Sequence, residues 1–262
     1  MSALVALSIA SEIYPLVKTG GLADVAGALP GALARENVAT RTLVPGYPAI
    51  LAKLQAAETA HVYPALFGGP AKVLAGRAAG LDLFVLDAPH LFDRGGNPYL
   101  GPDGLDWKDN PYRFAALARV GADIAKGAIA SFAPDVVHLH DWQAALTPAY
   151  LHYDGGLHPG ALLTIHNIAF QGHFPASLLG PLGFPPQALS INGVEYFSGI
   201  GFLKAGLQFA DRITTVSPTY AREILTPAFG MALDGLLRAR AHVVEGIVNG
   251  IDDMVWNPAT DP

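Results

Sequence analysis

The chain has 262 residues, 51% of them hydrophobic and only 15% charged, with a formal net charge of −6 and no cysteine. This composition builds a large core, excludes a disordered chain, and excludes disulfide frameworks and thiol catalysis. It argues against a basic nucleic-acid-binding face but leaves room for a local cationic pocket. Met1–Ala10 is apolar, with no basic residues ahead of it and no small-residue cleavage site behind it, so it reads as a first core strand, Leu4–Ile9, rather than a signal peptide. No apolar run approaches the ~18 residues of a membrane span, so a cytoplasmic protein with no membrane partner is expected.

After the first strand comes a loop through Glu12, Tyr14 and Pro15, then Lys18-Thr19-Gly20-Gly21, then a helix with Leu22, Val25, Ala26, Leu29 and Leu33 on one stripe. A helix start carries unpaired N–H groups that attract anions, glycine admits a ligand close to the backbone, and Lys18 adds a mobile positive charge. This turn is therefore a candidate phosphate cradle. The plainer alternative, a glycine turn beside a solvated lysine, stays open on spacing alone, because neither a Walker loop nor a dinucleotide fingerprint is present. Thr40–Val44 is a second strand, ended by Pro45-Gly46. Val62–Phe67, Ala71–Ala78 and Leu81–Leu86 are three extended segments that suggest a β-hairpin insert. Residues 88–110 form a long irregular loop containing Tyr99 and Trp107.

A helix then runs from Pro111, followed by a strand (Asp135–Leu139), a helix (Gln143–Leu151), a strand (Ala161–Ile165) and a loop-rich stretch (Ala169–Ser198). A helix (Gly201–Ala210) and a strand (Arg212–Val216) precede Ser217-Pro218, which has the chemistry of an N-cap with proline at the first helical position. A helix (Ala232–Ala241), a strand (Glu245–Val248) and a turn at Asn249-Gly250 follow. This alternation predicts an α/β fold: a Rossmann-like, doubly wound, mostly parallel sheet, favoured over an eight-stranded barrel because the hairpin insert breaks the regular count.

Candidate polar groups gather at the carboxyl ends of strands. His138 and His140 share one face of their strand, with Asp141 at the crossover, and Thr164-Ile165-His166-Asn167 repeats the pattern one strand later. Three readings are open: packed core histidines, a binding site around His140 and Asp141, or a metal site built on His138, His140 and Asp141. No serine occupies a nucleophile elbow.

These pieces, in this order, resemble the bacterial glycogen synthases and plant starch synthases. The matching stretches are Ser11-Glu12 to Pro15, Lys18–Val25 with Leu29-Pro30, Asn97-Pro98-Tyr99, Asp109-Asn110 with Arg113-Phe114, and Val137–Trp142. Thr164–Asn167 with Gln171-Gly172, Phe202–Gly206, Thr215–Tyr220 and Asn249–Asp252 complete the set. The resemblance implies the N-terminal half of a GT-B glycosyltransferase, one domain over residues 1–262, with the C-terminal nucleotide-binding domain absent beyond Trp256-Asn257-Pro258. It implies transfer of glucose from ADP-glucose to the non-reducing end of an α-1,4-glucan with retention, without metal or organic cofactor, and a chain that is inactive alone. Asp141 and His166 would line the donor-glucose pocket, Lys18, Gly20 and Gly21 the diphosphate, Asn249 the same cleft, and Tyr99 the acceptor. Two positions depart from the family pattern: Ala232, where glycine is usual, and Gln143, where histidine is common. A non-catalytic α-glucan-binding module and a metal-dependent hydrolase are the competing expectations.

Overall fold

The computed structural model describes residues 4–251 and residue 259. Asp252, Trp256–Pro258 and the last two residues, named in the sequence reading, lie outside the described residues.

The chain alternates as the hydrophobic pattern dictates. In order come β1 (Leu4–Ile9), α1 (Gly21–Arg35), β2 (Val38–Pro45), α2 (Pro48–Leu51), β3 (Gln55–Leu66), β4 (Gly69–Ala78), β5 (Leu81–Asp87), α3 (Pro89–Phe92) and α4 (Asn110–Ala125). β6 (Val136–His140), α5 (Asp141–Ala144), α6 (Thr147–Asp154), β7 (Gly160–Ile165), β8 (His173–Pro175), β9 (Glu195–Tyr196) and β10 (Gly199–Gly201) follow. α7 (Phe202–Phe209), β11 (Arg212–Thr215), α8 (Pro218–Glu223), α9 (Asp234–Ala239) and β12 (Val244–Gly246) complete the described elements. The Ser217 hydroxyl caps α8 by accepting a hydrogen bond from the Tyr220 backbone N–H at 2.9 Å.

Nine strands form one sheet in the order β12-β11-β7-β6-β1-β2-β5-β4-β3. All are paired in parallel except for the antiparallel pairings of β4 with β3 and β5. β1 sits in the middle, and Leu7 and Ile9 are fully buried because helices cover both faces. From β1 the chain first steps outward through β2 and then returns past β1 to β6. This reversal opens a crevice at the carboxyl ends of β1 and β6, where open α/β sheets bind their ligands. Helix α4 fills the layer behind it, its Phe114, Leu117, Ala118 and Gly121 all buried.

The structure corrects several local expectations. The hairpin is no separate insert: β5 lies beside β2 in parallel, so the three extended segments prolong the main sheet at one edge. β3 begins at Gln55 rather than Val62; its first residues are polar and exposed, and carried no apolar alternation. The single helix expected over Gln143–Leu151 is two, because Pro148 lacks an N–H to continue α5 and instead starts α6. The stretch read as loop, Ala169–Ser198, contains β8 and β9, which with β10 make a second sheet of three very short strands.

Candidate active site

The first group of site residues hangs from β6 and β7. Parallel pairing sets His138 opposite Leu162 and His140 opposite Thr164. His138 and His140 point to the same side, their ring centroids 4.2 Å apart, and His166 continues the row 5.3 Å from His140. His138 Nε2 shares a hydrogen bond with Thr164 Oγ1 at 2.7 Å, and that hydroxyl bonds Thr214 Oγ1 at 2.7 Å. His140 bonds Ser8 Oγ through Nε2 at 3.2 Å and His166 Nε2 through Nδ1 at 3.0 Å. Burial pulls the pKa of His138 and of His166 down to about 4, and that of His140 well below the usual imidazole value. Neighbouring imidazoles add to the effect at His138 and His140. The row is therefore three neutral rings at pH 7, able to donate or accept hydrogen bonds without carrying charge. Their nitrogens face hydroxyls and each other rather than a common point, and among the described residues no group of three or more His, Asp or Glu side chains could hold a metal ion. The metal-hydrolase reading of His138, His140 and Asp141 thus lacks its ligand geometry.

Asp141 follows directly at the end of β6. Its backbone has φ 55°, in the left-handed region that aspartate tolerates better than most residues but that still marks a strained, functional-type position. Its Oδ1 accepts the backbone N–H of His166 at 2.7 Å and that of Asn167 at 3.4 Å, tying the ends of β6 and β7 together. Burial raises its pKa to about 7, the two N–H donors work against that shift, and the nearby charge of Glu12 adds to it. Near pH 7, then, this carboxyl sits balanced between its two protonation states.

The second group is the turn between β1 and α1. Lys18, Thr19, Gly20 and Gly21 are exposed, so the turn faces the open crevice. Gly20 has φ −148°, an extended conformation any residue adopts, and a Cβ built on Gly20 or Gly21 would meet nothing within 4 Å. Neither strain nor crowding inside the chain demands glycine here. Lys18 Nζ donates to both carboxylate oxygens of Asp24 at 2.7 Å. Behind the turn lies Glu12, only 3% exposed. Its carboxylate accepts the Thr19 hydroxyl at 2.7 Å, the Gly20 backbone N–H at 3.4 Å, the Thr19 backbone N–H and the Tyr99 hydroxyl. Tyr99 is half-buried, and its hydroxyl also meets Ser11 Oγ at 2.8 Å. Its carbonyl accepts the Asn110 side-chain amide at 2.9 Å and the Trp107 backbone N–H at 3.1 Å. The long loop is thus pinned onto the start of α1.

The structure brings Asp141 and His166 together, and separately joins Tyr99 to the Lys18–Gly21 turn through Glu12. The two groups face each other across the β1–β6 crevice, linked by Ser8 on His140 and by the charge of Glu12 on Asp141. Asn249 lies exposed just beyond β12, on the outer strand of the same sheet. Sequence reasoning passed over Glu12 and Ser8. The available signal was a polar Ser11-Glu12 pair where the central apolar strand leaves the sheet, one of the few places where a buried acid has backbone donors to hold it. Together these groups offer a buried carboxyl, neutral imidazole donors and an exposed N–H and ammonium surface, a set suited to gripping hydroxyls on one side and an anion on the other.

A family model described as the starch synthase catalytic domain matches residues 6–239. The chain is 64% identical over 261 residues to a glycogen synthase of Rhodopseudomonas palustris strain BisB18, covering 100% of this chain and 53% of the relative. Glycogen synthase of Methylocella silvestris is also 64% identical, over 262 residues and 54% of its own length. Among solved structures, the catalytic domain of starch synthase IV from Arabidopsis thaliana, bound to ADP and acarbose, superposes with a TM-score of 0.85 at 30% identity. That match covers 100% of this chain and 54% of the plant one. The chain spans about half the length of the curated relatives it matches. With an open parallel sheet that superposes on the plant structure over its whole length, the chain belongs to the glycogen and starch synthase family of glycosyltransferases.

Proposed function

We propose that this chain forms the amino-terminal wall of an ADP-glucose-dependent glycogen synthase, which transfers glucose to the non-reducing end of an α-1,4-glucan with retention. The observation that carries the reading is the glycine pair at the mouth of α1: two residues whose lack of a side chain serves nothing within the chain, at an exposed helix start facing the crevice. An external ligand that must approach the backbone closely explains them. The plant structure that superposes on this chain holds ADP, and the relatives carry the glycogen synthase name.

In this reading Lys18 and the Gly20 and Gly21 N–H groups receive the diphosphate, while Asp141 and His166 hold the glucose being transferred. As the glycosidic bond to phosphate breaks, negative charge grows on the leaving oxygens, and the fixed N–H donors and the ammonium stabilise it. The neutral His166 ring offers a hydrogen bond to a sugar hydroxyl without competing for the anion. Tyr99 and Asn249 border the acceptor side. Neither a metal nor an organic cofactor is required. The remaining donors to the nucleotide come from a second domain, in keeping with relatives about twice as long, and the protein works in the cytoplasm where its glucan accumulates.

Lys18→Ala in a full-length synthase carrying this chain tests the assignment. Turnover with ADP-glucose is expected to fall by roughly 10²-fold with the fold retained by circular dichroism. The chain by itself is expected to leave a maltooligosaccharide unextended. Unchanged turnover in the variant returns Lys18 to an ordinary surface charge.

A further inference from the structure

Beside the crevice, on the β2 side, lies a cavity of about 180 Å³ lined by Val17, Tyr47, Arg94, Asn97, Pro98 and Arg113 among others. Arg113, on α4, is fully buried. Its guanidinium donates to Leu91 O at 2.8 Å, Pro98 O at 2.7 Å and Asn110 Oδ1 at 2.7 Å, all uncharged acceptors. Its Nη2 meets no acceptor among the described residues, and neither does the hydroxyl of Tyr47, which is 5% exposed and lines the same cavity. The carboxylates nearby are already engaged. Asp109 takes both terminal nitrogens of Arg94 at 2.9 and 2.8 Å, and Glu12 takes Thr19 and Tyr99. The cavity is thus bordered by a buried positive charge with no carboxylate against it and by two unanswered hydrogen-bond donors. Burying donors without acceptors is costly, and a charged donor most of all.

We propose that this cavity is a binding site for a phosphate group, taken either as inorganic phosphate or as a phosphate monoester. A tetrahedral oxyanion supplies what the cavity walls lack: acceptors for Arg113 Nη2 and the Tyr47 hydroxyl, and a negative charge to balance the guanidinium. A phosphate group is small enough for the volume. Bound there, it would tie the Arg94–Pro98 segment to α2 and stiffen the mount of Tyr99, the residue that follows Pro98. Val17, which precedes Lys18, is the cavity's other neighbour to the crevice, so occupancy would be felt on both sides of the site. The proposal does not depend on the glucosyl-transfer reading.

Calorimetry and thermal shift of the protein with inorganic phosphate, at ionic strength matched with chloride, test the proposal, with glucose 1-phosphate as the monoester arm. Saturable binding and a rise in Tm are expected. Tyr47→Phe keeps the ring that packs edge-on against Phe92 and is expected to weaken binding roughly tenfold. Lys18→Ala, which disturbs only the turn, is expected to leave it unchanged. Arg113→Gln should abolish binding, but it also removes internal hydrogen bonds that hold the fold, so Tyr47→Phe decides. Retention of full affinity in Tyr47→Phe, loss in Lys18→Ala, or protection by maltotriose with none by phosphate each overturns the proposal. Tighter binding of one phosphate form supports the site and names its source.

Discussion

The two walls of the crevice are built on opposite plans. On the β6–β7 side, Asp141 and the three histidines are buried, bonded to one another or to backbone N–H groups, and held in place before any ligand arrives. On the β1–α1 side, Lys18, Gly20 and Gly21 are exposed, and their binding groups rest on carboxylates of the chain itself, Asp24 and Glu12. The first wall is preorganised at the cost of burying ionisable groups. The second costs little in folding, and a diphosphate must displace or share the internal partners it finds there. Catalytic groups need fixed geometry more than binding groups do, and the burial follows that division.

If this contrast is right, the largest loss comes from the buried wall. Asp141→Ala in the full-length enzyme is expected to lower kcat roughly 10³-fold while the Km for ADP-glucose moves little. A loss confined to Km would erase the distinction between the walls. Next comes the exposed wall: Gly21→Ala fills open space and improves the first turn of α1, so stability should hold or rise by about 0.5–1 kcal/mol. The same change should raise the Km for ADP-glucose roughly tenfold by obstructing the backbone N–H surface, with steady-state kinetics and thermal unfolding read together. A more stable variant with unaltered Km would remove the ligand argument for this glycine.

The pH dependence of stability separates the walls by sign. His138 and His166 titrate near 4 when folded and near 6.5 when unfolded, so the unfolded chain binds more protons between those values. Their contribution therefore rises with pH across this window, each on the order of 3 kcal/mol at most. Asp141 titrates near 7 when folded and near 3.8 when unfolded, so its contribution falls with pH between these values. Urea denaturation from pH 4 to 7 should show a net rise, and Asp141→Asn should make it steeper. A flatter profile in that variant would contradict the burial argument. The smallest effect belongs to Asp24→Asn. With side chains 46% and 50% exposed, the Lys18–Asp24 pair is solvent-screened, so stability should change by less than about 0.5 kcal/mol. Freed Lys18 should tighten ADP-glucose binding a few-fold.

Much of the frame was legible in the residues because it follows from periodicity. β1, α1, β2 and the Ser217 cap obey local rules, and the positions of Asp141 and His166 follow from strand ends. What escaped has physical causes. The outer part of β3 is stabilised by pairing with β4 rather than by burial, so its residues show no apolar alternation. β8, β9 and β10 are too short to have a period. The role of Glu12 depends on partners seven and eighty-seven residues away, a convergence that only the folded chain displays.

The two rims of the long sheet have a consequence for handling the protein at high concentration. β12 is three residues long, and β3, though twelve, slips register against its neighbour between Gln55 and Glu58, Thr59 and His61, and Tyr63 and Leu66. Each slip twists the outward row of amide and carbonyl groups away from a straight line, and Glu58 adds an exposed charge beside it. A second molecule finds no straight ladder to zip onto at either rim, so a chain this rich in apolar residues can be crowded in solution without its sheets joining end to end.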